Sequence, residues 1–145
     1  MGKAAELASE HAAGDSERVG ALRDRLEEEI LQRIPLTSVI GDRARRVPGT
    51  TNISFEYIEG EGFVIAMDLR GVACSTGAAC SSGSLEPSHV LTAIGRREQA
   101  RTSIRFSLGR FNTAEDINYA LEILPPVVEQ LRSLSPHYKK NAIAV

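Results

Sequence analysis

Val19, Leu22, Leu26, Ile30 and Ile34 recur at three- and four-residue spacing, the period of a helix with one buried face. That spacing predicts a helix from residue 3 to 34. Gly14-Asp15-Ser16 predicts an interruption, with Asp15 or Ser16 capping a second helix. Pro35 ends the run. Thr37 to Ile40 reads as a short strand. Gly41 to Gly49 reads as a basic loop closed by the Pro48-Gly49 turn signal. From Thr50 to Tyr57 the chain alternates, Ile53, Phe55 and Tyr57 against Asn52, Ser54 and Glu56. A period of two is a half-buried strand. Phe63 to Arg70 reads as a short helix, since Ala66, Met67 and Leu69 are good helix formers. Val72 to Ser75 fits a small-residue strand. Pro87 to Ile94 fits a short helix, with Pro87 in its first turn and Gly95 past its end. Ser103 to Leu108 alternates again, with Ile104, Phe106 and Leu108 on one face. Thr113-Ala114-Glu115-Asp116 is a capping-box pattern. It opens an apolar stripe through Ile117, Ala120, Leu121, Leu124, Val128, Leu131 and Leu134, with a kink expected at Pro125-Pro126.

Together these elements predict a two-layer α+β domain: a long N-terminal helix and a small mixed sheet covered by helices. The length of 145 residues suits one ordinary domain with a real core. Net charge is −2, which gives no electrostatic support to a nucleic-acid or acidic-membrane partner. The Arg43, Arg45, Arg46 cluster therefore reads as a solvated loop. No apolar run is long enough to span a bilayer, and the N-terminus has neither a signal-peptide nor a myristoylation pattern. Two cysteines cannot make a disulfide framework, so a cytoplasmic, reducing home is expected. His11, His89 and His137 show no zinc spacing with Cys74 or Cys80, so no intrinsic metal site is expected.

Cys80 is the chemical landmark. It stands in Gly77-Ala78-Ala79-Cys80-Ser81-Ser82-Gly83-Ser84-Leu85-Glu86-Pro87, among small residues and between glycines. A structural cysteine prefers apolar company, whereas a working one is accessible. On residue chemistry alone two readings stand level: a reactive thiol, and an inert small side chain in a turn.

The stretch Ser75 to Leu91 resembles the active-site cysteine loop of the class-I cysteine desulfurases, the NifS/IscS type. Ser103-Ile104-Arg105-Phe106-Ser107-Leu108-Gly109-Arg110-Phe111-Asn112-Thr113, Thr50-Thr51-Asn52-Ile53-Ser54-Phe55 and Leu124-Pro125-Pro126-Val127-Val128 resemble further family motifs, in the family's order. The resemblance covers nearly the whole chain. It implies the C-terminal small domain of the pyridoxal-phosphate-dependent aspartate-aminotransferase fold (fold type I). Residues 1–34 would be a remnant of the interdomain helix. Residues 35–145 would be the small domain, with the active-site loop at 75–87. The activity implied is removal of sulfur from L-cysteine, leaving L-alanine and an enzyme-bound persulfide for iron–sulfur cluster assembly. The resemblance makes Cys80 the persulfide-forming nucleophile, and a candidate transient iron–sulfur ligand. It makes Arg105 the residue that holds the substrate carboxylate, a task suited to a planar guanidinium. Asn52 is a weaker substrate-side candidate and Arg110 a weaker one still; His89 is assigned to the surface of its helix. The implied partners are L-cysteine, a sulfur acceptor or iron–sulfur scaffold protein, and a second copy in a homodimer.

The sequence departs from the family in one large respect. A desulfurase needs a lysine to hold pyridoxal phosphate, and the lysines here are Lys3, Lys139 and Lys140, all near the termini. The family's large domain, which carries that lysine, is not recognisable, so the cofactor is not expected to be held covalently by this chain. Ala78 stands where the family often has Ser. Cys74 stands where a small or apolar residue is expected and reads as a buried thiol. Two functions are carried forward: a desulfurase small domain inactive alone, and a non-catalytic sulfur carrier or interaction module that accepts a persulfide on Cys80. A Cys74–Cys80 redox pair is a third.

Overall fold

Gly2–Arg33 forms one uninterrupted helix, α1, in the computed structural model, which describes residues 1–76 and 88–138. The expected break at Gly14-Asp15-Ser16 does not occur. A mid-helix glycine costs only about 1 kcal/mol, and tertiary ties hold this stretch. Asp15 lies 3.5 Å from Arg110, and Arg18 donates to the carbonyls of Asn112, at 2.7 Å, and of Arg110. The helix stops before Pro35, and Leu36 turns the chain with φ 57°.

The strands are β1 (Thr37–Val39), β2 (Thr50–Phe55), β3 (Ser75–Thr76) and β4 (Ser103–Ser107), in spatial order β1-β2-β4-β3. All three pairings are antiparallel, which corrects the mixed sheet expected from the sequence. Periodicity identifies strands but carries no information on their relative direction. The β3 strand is shorter than the Val72–Ser75 run because Val72 stays tied to the preceding helix, its N–H donating to Met67 O at 3.0 Å. That helix, α2 (Gly60–Asp68), begins before Phe63. Gly60 permits the early start: a Cβ there would meet Arg101 O and Thr76 Cγ2, each at 3.0 Å.

One face of the sheet is the core. Ile53, Phe55, Ile104 and Phe106 meet Leu26, Ile30 and Ile34 of α1 and Phe63 and Met67 of α2. Phe63 sits centrally, with ring centroids 5.1 Å from Phe55 and 6.4 Å from Phe106. The remaining wall is α4 (Ala114–Leu134), whose buried stripe includes Ile117, Leu121, Leu124, Val127 and Val128. Its capping box forms as the sequence predicts, Thr113 accepting from Asp116 N–H at 3.2 Å and returning its own N–H to Asp116 at 2.9 Å. The segment stays helical across Pro125-Pro126. Near its end, buried Arg132 donates to the carbonyls of Glu56, Pro35 and Leu36, tying α4 to both left-handed turns at Leu36 and Tyr57.

A satellite cluster of Ile40, Leu91 and Ala100 fastens α3 (His89–Ala93) and the 3-10 turn Glu98–Arg101 to the end of β1. Gly95 follows α3 at φ 75°, the left-handed turn expected there. Pro87 lies outside the described residues. Among the described residues no helix is long and apolar enough to cross a membrane.

Candidate active site

The register of the sheet builds the site. Asn52 lies directly opposite Arg105 on β4, and Arg105 lies opposite Ser75 on β3. Side chains directly opposite share a face, so Asn52, Arg105 and Ser75 form one row across three strands. Ser54 and Ser103 make the next pair of the same face. The alternation places this face away from Ile53, Phe55, Ile104 and Phe106.

The polar groups here are not satisfied internally. Among the described residues, the buried atoms Asn52 Oδ1, Arg105 Nε and Ser103 Oγ have no hydrogen-bond partner. An unmet buried donor or acceptor costs about 1–3 kcal/mol. Three such atoms on one face of adjacent strands are what a ligand-binding surface looks like before its ligand arrives. Beside Asn52 a depression of about 230 Å³ is lined by Ile40, Asp42, Arg45, Arg46 and Thr51 among others.

The core side of the same strand is braced by charge. Glu27 of α1 is fully buried, and Thr51, next to Asn52, donates to its Oε2 at 2.5 Å. Arg46 grips the same carboxylate with both terminal nitrogens, at 2.5 and 3.0 Å, and Arg43 approaches within 2.7 Å. Burial pushes the Glu27 carboxyl up, but the bonds from Arg46 and Thr51 and the charges of Arg46 and Arg43 more than reverse this, leaving it below the ordinary value. The basic cluster is therefore not simply a solvated loop. Arg46 is drawn into the fold, while Arg43, which reaches Glu27 from the surface, and Arg45, paired with Asp42 at 2.7 Å, remain exposed. Gly49 lets the loop close onto the end of β4, since a Cβ there would meet Leu108 O at 2.3 Å.

The other candidates separate clearly. Cys80 and the rest of 77–87 lie outside the described residues, as do Lys139 and Lys140. In the chain, the cysteine loop follows Thr76, one residue after Ser75. Cys74 is partly buried against the core, and burial first, then the charge of Asp68, pushes its thiol up to about 11. It is a poor thiolate at neutral pH. Arg110 is engaged with Asp15 and sits over the Phe111 ring, so it does not join the row. His89 is exposed on α3. Among the described residues no cluster of His, Cys, Asp and Glu could hold a metal ion.

These residues fit recognition of a carboxylate, through Arg105 and Asn52. They do not fit covalent anchorage of pyridoxal phosphate. The described lysine, Lys3, is exposed in the first turn of α1 and paired with Glu6 at 2.7 Å. Ser75, Ser103, Thr51 and Glu27 were not singled out from the sequence. Polar residues inside alternating strands mark the first three as facing something, but only the register says what.

Residues 1–120 match the family described as aminotransferase class-V. A cysteine desulfurase of Klebsiella pneumoniae is 45% identical over 142 residues, covering 97% of this chain and 36% of the relative. Cysteine desulfurase 2 of Trichormus variabilis is 50% identical over 143 residues, covering 98% and 36%. Among solved structures, a NifS-like protein from Rickettsia africae superposes with a TM-score of 0.72 at 27% identity, covering 85% of this chain and 31% of that one. The chain thus spans about a third of the length of these relatives. Its small α+β domain is the fold expected from the motifs, that of NifS-like proteins of the pyridoxal-phosphate aminotransferase fold. The chain belongs to the class-V aminotransferase family.

Proposed function

We propose that this chain is the sulfur-accepting, substrate-gripping part of a cysteine desulfurase. The observation that carries the reading is Arg105: an arginine in an inner strand, its Nε buried and unpartnered, directly opposite Asn52. The cysteine desulfurase relatives, 45–50% identical to nearly the whole chain, support the same reading. Arg105 receives the carboxylate of L-cysteine through two parallel N–H bonds, and Asn52 orients it. Cys80 acts as thiolate on the substrate sulfur. A sulfur–sulfur bond forms at Cys80 as the substrate carbon–sulfur bond breaks; the substrate carbon keeps that electron pair and takes a proton, leaving alanine. Pyridoxal phosphate, the cofactor of the family, supplies the electron sink; its lysine comes from outside the described residues. The persulfide on Cys80 then passes to an acceptor or iron–sulfur scaffold protein, by an exchange governed by thiolate fraction and access. The setting is cytoplasmic, the assembly a homodimer, and Cys80 a transient cluster ligand during handover.

The purified chain, mixed with pyridoxal phosphate and L-cysteine, should release no sulfide. Adding the lysine-bearing large domain of a cysteine desulfurase should restore release, and Cys80→Ser should abolish it. Arg105→Lys should raise KM for cysteine far more than it lowers kcat. Turnover by the chain alone would overturn the two-part reading, and full activity of Cys80→Ser would overturn the role of the thiol. A second reading, a cofactor-free sulfur carrier, is favoured by the absence of a lysine from the row. In that case the large domain would restore nothing, yet Cys80 would still take up sulfur from a persulfide donor.

A further inference from the structure

Arginine is handled unevenly along this chain. Outside the row that holds Arg105, the arginines of α1, the 41–49 loop and α4, and also Arg70 and Arg110, each have a partner for the side chain. Arg96, Arg97 and Arg101 have none among the described residues, and all are exposed. They fall on the segment between the Cys80 loop and the Arg105 strand. The acid within it, Glu98, makes no ion pair with them. On a chain of net charge −2, three cations left uncompensated so close together repel one another and raise the local potential. Val90 on α3 and Ile94, which caps it, are about half exposed beside them in the chain, at 55% and 50%. The Ile40–Leu91–Ala100 cluster fixes the segment to the sheet, so the surface is presented on a packed support.

We propose that the α3–Arg101 segment, through Arg96, Arg97 and Arg101 with Val90 and Ile94, is a docking surface for an acidic, apolar-studded protein segment. Resting on the function proposed above, that segment belongs to the acceptor that takes sulfur from Cys80. The segment begins two residues after the cysteine loop in the chain, so an acceptor held here is held close in sequence to Cys80. Charge complementarity draws it in, and the two aliphatic side chains give contacts that salt does not screen.

The test titrates the full chain with a synthetic peptide of glutamate and leucine, following backbone amide shifts. Saturable binding should perturb Val90 to Arg101. Replacing Arg96, Arg97 and Arg101 together with Gln should weaken it about tenfold or more, as three lost charge contacts imply. The same replacement of Arg25, Arg33 and Arg70 removes equal charge elsewhere and should weaken it less than about twofold. The proposal is overturned by equal weakening in both triple variants, by shifts centred on another surface, or by no saturable binding. It is overturned as well if an oligonucleotide displaces the peptide, or if the first triple variant instead dissolves a dimer of the chain, since another occupant then holds the surface. Cys80→Ser should bind the peptide unchanged while forming no persulfide by mass spectrometry, so failure of the docking surface and failure of the sulfur chemistry read out separately.

Discussion

The two faces of the sheet obey opposite rules. On the core face Ile53, Phe55 and Ile104 are fully buried, Phe106 nearly so, and Thr51, the polar group there, is bonded to Glu27. On the other face Asn52, Ser103 and Arg105 hold buried polar atoms with no partner among the described residues. The strands are the same, so propensity cannot explain the contrast. A face that exists to fold is completed internally. The face left incomplete is the one the proposed function assigns to the substrate, and leaving it so costs stability.

That contrast can be broken by substitution. The largest loss of stability should come from Phe63→Ala, about 4 kcal/mol by urea denaturation, because it empties the aromatic centre of the core face. Glu27→Ala should follow at about 3 kcal/mol, since it strands Arg46 in a buried site. The Glu27 carboxyl is held below its unfolded value, so its contribution is present above the ordinary carboxylate range and lost as pH falls through the lower folded value. Acid titration of Glu27→Gln should lack that component. Thr113→Ala, which opens the capping box, should cost about 1 kcal/mol. Asn52→Leu and Arg105→Met should come last, within about 0.5 kcal/mol of the parent or slightly more stable. Both should lose recognition of the substrate carboxylate in the restored assay. A loss at Arg105→Met as large as that at Phe63→Ala would end the contrast, because Arg105 would then be holding the fold.

Much of this was legible in the chain. The helix beginning at Thr113, the alternation around Ile53 and Ile104, and the glycine closing α3 follow from local rules that tertiary structure did not override. The misses also have physical causes. The Gly14 break failed because Arg18 and Asp15 reach the Arg110–Asn112 turn, which is distant in sequence. Strand direction failed because a period of two is the same either way. The Arg43–Arg46 cluster was read as solvent-facing because its counter-charge, Glu27, lies on another element. Cys74, read from the sequence as a buried thiol, is partly buried against the core, and that burial and the charge of Asp68 raise its thiol.

The sequence by itself determined the family and most of the elements, because those depend on residue type and near-neighbour spacing. Only the tertiary structure decided that Asn52, Arg105 and Ser75 share one row, that Glu27 is the buried anchor behind it, and that three arginines have no partner among the described residues. Each of these depends on strand register or on charges meeting across the fold, and neither is written in local sequence.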